Sequence, residues 1–139
     1  MYRELINEFA QNNKHVAAQE PALPAEIDRA EAAVGYPFPE ELRELLSEMN
    51  GDHYFLLSTD EIMEVVSVNR EYLLECYEDI GQHIFFAGNG CGDYYCYNVD
   101  SDGCVDSGKI YIWLHEINET RLVASSIPEL IRRYYNDEI

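Results

Sequence analysis

A chain of 139 residues with 47% hydrophobic content has the size of one domain, 1–139, and can bury a single core without metal or disulfide staples. Nine Lys plus Arg against 27 Asp plus Glu give a formal net charge of −18, which excludes favourable contact with nucleic acid or anionic membrane and favours a basic protein partner. No apolar run approaches a membrane span, and the opening MYRELINEFAQNN lacks the basic and apolar regions of a secretory signal, so the expected location is the cytoplasm.

Tyr2, Leu5, Ile6 and Phe9 predict a first helix, followed by a polar and Ala-rich connection to Leu23. Two short amphipathic helices then carry their own start and stop signals. Pro24 and Pro39 sit where a first turn tolerates proline, while Gly35 and the Asn50-Gly51 pair supply left-handed residues that end helices. Ile27, Ala30 and Val34 form one apolar stripe, and Leu42, Leu45, Leu46 and Met49 form another at core-facing spacing. The run His53 to Leu57, HYFLL, suits a short strand. It leads into Ser58-Thr59-Asp60-Glu61, a capping-box spacing that starts a helix with Ile62, Val65 and Val66 facing inward. Tyr72, Leu73, Cys76 and Ile80 continue a helical stripe to Gly81.

From His83 the period changes. IFFAG, YYCYNV, KIYIWLH and RLVA are β-rich runs separated by Gly, Asn and Asp, which predicts an antiparallel meander. Ser126-Ile127-Pro128-Glu129 repeats the capping spacing before Leu130, Ile131 and Tyr134 on one face of a closing helix. Helices, then strands, then one helix make the fold class α+β. In Lys109 to His115, alternation assigns Ile110, Ile112 and Leu114 to the core, with Tyr111, Trp113 and His115 on the other face. That second face is either an aromatic surface for a partner or a second core layer beneath helices.

Several motifs suggest chemistry and then fail on inspection. Gly88-Asn89-Gly90-Cys91-Gly92-Asp93 looks like a phosphate loop but leads into a strand, so its glycines fit a tight or bulged turn in which Asp93 bonds backbone groups or faces a partner. Asn98-Val99-Asp100-Ser101-Asp102-Gly103 opens like a calcium loop, yet its twelfth position is Lys109 instead of a bidentate Glu; a hairpin loop fits better. Cys76, Cys91, Cys96 and Cys104 form no C-x-x-C pair and read as free thiols, with Cys76 and Cys96 in apolar settings. A nucleophilic mechanism would pair a cysteine with His15, His53, His83 or His115 and an orienting acid; Cys96, His115 and Asp93 could be forced into that role, but the sequence gives no geometry for it. No catalytic residue, metal or cofactor is assigned.

The order and spacing of these pieces resemble the SUKH superfamily, the SMI/KNR-type domain. The likeness runs through Ile27 to Gly35, Phe38-Pro39-Glu40-Glu41-Leu42 and Asn50-Gly51, then Phe85-Phe86-Ala87, Gly92-Asp93-Tyr94, Trp113-Leu114-His115-Glu116 and Ser125 to Leu130, covering about residues 22 to 137. It implies a non-catalytic α+β domain, in bacteria mostly an immunity protein that neutralises a polymorphic or contact-dependent toxin, often a nuclease. The cysteine-bearing turn at Cys91 and the Asp-rich loop from Asp100 to Asp106 depart from the family pattern and are expected beside the binding face. A nuclease is basic where it grips phosphates, so an acidic, aromatic-centred surface suits its occlusion. The expected toxin-binding surface comprises Asp93, Tyr94, Tyr111, Trp113 and Glu116, with Asp52 and Asp102 as rim charges. Exposed β edges would also allow a homodimer. The alternatives are a regulatory interaction module of the same fold and a small thiol or metal enzyme.

Overall fold

The computed structural model describes residues 1–68 and 83–139, so the helical stripe expected over Tyr72, Leu73, Cys76 and Ile80 lies outside the described residues. Among the described residues, helices come first: α1 (Tyr2–Ala10), α2 (Pro24–Val34), α3 (Glu40–Glu48) and α4 (Thr59–Val68). Each apolar stripe is buried, with Leu5 and Ile6 from α1, Ile27, Ala30 and Val34 from α2, and Leu42, Leu45 and Leu46 from α3. Gly35 closes α2 at φ 92°, a left-handed conformation that costs glycine nothing. Ser58 and Glu61 form the expected reciprocal cap of α4, at 3.2 Å and 3.0 Å.

Two local expectations are corrected. Helix α3 ends not on a left-handed residue but on extended Met49 at φ −157°; the positive φ, 89°, belongs to Gly51. A Cβ on Gly51 would lie 3.0 Å from the Ser58 nitrogen and 3.1 Å from the Leu56 oxygen, so this glycine permits a close backbone approach beyond the helix. The HYFLL run is not a strand. Asp52 Oδ1 accepts the backbone N–H groups of Tyr54, Phe55 and Leu56 at 3.0, 2.7 and 2.8 Å, which removes them from any ladder. In its backbone pairing this turn meets the sheet through an isolated antiparallel bridge, Leu56 with Ala87.

The second half forms the meander: β1 (His83–Gly88), β2 (Tyr94–Asn98), β3 (Ile110–Leu114) and β4 (Glu119–Ala124), antiparallel in the order β1-β2-β3-β4. Helix α5 (Ile127–Tyr135) closes the fold. Ser126 caps it through its hydroxyl, which accepts the Glu129 N–H at 3.3 Å, while the Glu129 carboxylate accepts the Ser125 hydroxyl at 2.8 Å. One face of the sheet contributes Ile84, Phe86, Tyr95, Tyr97 and Ile110 to the main core under the helices. Burial leads the rise in the pKa of Glu41, whose carboxylate joins α3 to that core: it accepts the Tyr97 hydroxyl at 3.1 Å and the Ile127 N–H at 2.9 Å. The opposite face is also buried. Phe85, Cys96 and Trp113 form a second cluster, flanked by Val65, Tyr94 and Tyr111.

Candidate functional site

The antiparallel register brings the β1–β2 turn and the β3–β4 turn to one end of the sheet, because Tyr94 pairs with Trp113 just beyond Asp93. Asp93 fastens the two turns. Its Oδ1 accepts the His115 backbone N–H at 3.0 Å and lies 2.7 Å from His115 Nδ1, while Oδ2 accepts the Asn89 amide at 3.2 Å. An ionised carboxylate only accepts, so Nδ1 carries the shared proton. Partial burial pushes the Asp93 pKa up, but the His115 and Asn89 hydrogen bonds outweigh it and hold the carboxyl below its ordinary value. The link is therefore in place at neutral pH and is lost when acidification protonates Asp93. A shallow cavity of about 240 Å³ lies over the pair, lined by Cys91, Asp93, Leu114, His115, Glu116 and Ile117.

Of the residues expected in one surface, Asp93, Tyr94 and Glu116 meet at this end. Glu116 is exposed and Tyr94 half-buried. Tyr111 lies further along β3, opposite Cys96 and Leu122. Two placements are corrected. Trp113 is 0% exposed and belongs to the second core layer, because both sheet faces are covered. Asp52 is also 0% exposed: besides its three backbone donors, its Oδ2 accepts the Tyr135 hydroxyl at 2.7 Å, so it is a core anchor and not a rim charge. Asp102 is exposed but sits in the β2–β3 loop, at the end of β2 remote from Asp93. The Asp100 to Asp106 loop is thus not beside Asp93.

That loop is held by its own side chain, Asp100 Oδ1 accepting the N–H groups of Asp102 and Cys104 at 2.9 Å each. The thiol constellation also separates. His115 and Asp93 meet, but Cys96 is fully buried opposite Tyr111, and burial drives its thiol pKa upward, against thiolate formation. Residues that the sequence reading did not mark as part of a surface are Ile117, 52% exposed in the β3–β4 turn, and the acids Glu61 and Glu64 on α4. Turn and helix-surface positions such as these have no periodic signature that ties them to a sheet end. Among the described residues, no helix is long and apolar enough to cross a membrane and no group of three or more His, Cys, Asp or Glu side chains is arranged to hold a metal ion.

Two glycines test the local geometry. At Gly92, φ is 99° and an added Cβ would lie 2.9 Å from His115 Cε1 and 3.0 Å from Nδ1. Gly92→Ala is expected to cost about 2–3 kcal/mol and to push His115 off Asp93, whereas Gly90→Ala, in open space, should cost about 1 kcal/mol from backbone strain alone. Urea midpoints check the difference. Equal costs at the two positions would mean that the His115 ring does not pack on Gly92.

The profile of the SMI1 / KNR4 family (SUKH-1) matches residues 21–133. No curated protein matches the chain.

Proposed function

We propose, from the premise that this chain belongs to the SMI1/KNR4 family (SUKH-1), that it is a bacterial immunity protein that binds a cognate toxin stoichiometrically in the cytoplasm. The family is known for immunity proteins. The observation that carries the reading within this chain is the distribution of charge around the sheet end. Exposed Glu61 and Glu64 line a groove with Tyr94, and exposed Glu116 lines the hollow that holds the neighbouring Asp93. Among the described residues, Arg43 is paired with Asp28 and Glu31, and Arg3 donates to the Glu48 carbonyl. Such a surface attracts the basic, phosphate-gripping face of a nuclease and speeds encounter with it. Inhibition then follows from occlusion and needs no catalytic residue.

Co-expression with the product of the neighbouring gene supplies the test. Wild-type protein should restore growth and co-purify with that product. Reversing one rim charge, Glu116→Lys, should slow association about three- to tenfold at low salt, with the deficit shrinking as salt rises. Stopped-flow mixing of the purified pair measures it. A wild-type chain that neither co-purifies nor rescues growth would replace this reading with a regulatory interaction module.

A further inference from the structure

We propose that the groove between α4 and Tyr94 seats a basic, apolar-anchored segment of the partner, an inference that rests on the protein-binding reading above. The groove has a volume of about 270 Å³ and is lined by Leu57, Glu61, Glu64, Val65, Val68 and Tyr94. Small-molecule pockets run from roughly 300 to 1,000 Å³, so this space suits an inserted side chain better than a cofactor. Residues 61, 64, 65 and 68 recur at helical spacing and present one face of α4. Val65 and Tyr94 rest on the second core cluster, which gives the groove a firm apolar floor. Val68, by contrast, is 45% exposed at its rim.

Charge decides the occupant. Among the described residues neither Glu61 nor Glu64 forms an ion pair, and one Glu61 oxygen is already used by the Ser58 N–H at 3.0 Å. Lys109 and Arg121 lie toward Asp106 and Glu119, and Arg133 donates to the Val123 carbonyl, so these bases are engaged on other elements. Burial first, and then the nearby Glu64 charge, raise the Tyr94 pKa and keep its phenol a donor. An apolar side chain would enter between Val65, Val68 and Tyr94, while a Lys or Arg one helical turn away would reach Glu61 or Glu64. The two carboxylates are three residues apart and therefore face a helical ligand together.

The probe is a synthetic amphipathic helix built from Leu and Lys at helical spacing, compared with a scrambled peptide of the same composition. Glu64→Lys and Val68→Asp change exposed positions, so both variants should unfold at the wild-type urea midpoint. Asp102→Lys makes the same charge reversal as Glu64→Lys at the far end of the sheet. Each groove variant should weaken amphipathic-peptide binding at least ~10-fold, and Asp102→Lys less than about twofold. Equal weakening by Asp102→Lys, or equal binding of the scrambled peptide, would reduce the effect to diffuse attraction and overturn the groove. Growth rescue separates the two levels of inference. Full rescue by both groove variants rejects the groove and leaves the immunity reading standing. Groove-dependent peptide binding without wild-type rescue retains the groove and rejects the toxin.

Discussion

Replacing Asp52 with alanine is expected to lower the unfolding free energy by about 3–5 kcal/mol, because it removes a buried charged acceptor and leaves its donors without one. The carboxylate receives three consecutive N–H groups, from Tyr54, Phe55 and Leu56, and the hydroxyl of Tyr135, 83 positions away in sequence. It thereby closes the turn after α3 and pins that turn to α5. Tyr135→Phe deletes only the hydroxyl and should cost about 1–2 kcal/mol. Asp52→Asn should fall between the two. Its amide oxygen keeps the three backbone donors, and its NH₂ can donate to the Tyr135 oxygen, but the negative charge that strengthens all four bonds is gone. Urea unfolding at neutral pH ranks the three variants. A cost for Asp52→Ala within the ±0.5 kcal/mol typical of surface changes would falsify the buried network.

The role of Asp52 marks the limit of what the sequence discloses. Helix α2 is legible because its signals are local: Pro24 opens it, Gly35 ends it, and three apolar residues fall on one face. The meander is legible for the same reason, since β-rich runs and turn residues alternate over short distances. Asn50-Gly51-Asp52-His53 carries equally strong local signals for a solvent-facing turn, and those signals mislead. The partner that buries Asp52 arrives from α5, which no local pattern reports. HYFLL misleads in the same way, because a β-rich run becomes a strand only if its N–H groups find a ladder, and here a carboxylate claims them. At the candidate site, Asp93 and Glu116 were legible as acids near turns. The placement of Tyr94 against α4 depends on register and packing, so Glu64 and Val68 emerge only in three dimensions.

Trp113→Ala should cost a similar about 3–5 kcal/mol, the range for emptying a large aromatic site in a core. The indole is fully buried, its centroid 5.4 Å from that of Phe85, and its N–H donates to Asn118 Oδ1 at 2.7 Å. Truncation thus opens a cavity and withdraws a donor from Asn118, which holds the β3–β4 turn in a left-handed conformation at φ 49°. Trp113→Phe keeps most of the volume and should cost less, about 1–2 kcal/mol for the lost hydrogen bond and residual void. Trp113 is the chain's one tryptophan, so its fluorescence reports this site alone in the wild type, with blue-shifted emission moving to the red on unfolding. The variants also decide how an aromatic at this position serves binding. A core residue acts through the folded fraction, so loss of partner binding by Trp113→Ala should follow its unfolding curve, and lower temperature or a stabilising osmolyte should restore it. A variant with the wild-type midpoint and no partner affinity would instead make Trp113 a contact that the partner must expose. The expected recovery leaves direct contact to the exposed acids and to the groove beside Tyr94, with Trp113 setting the packing on which Tyr94 rests.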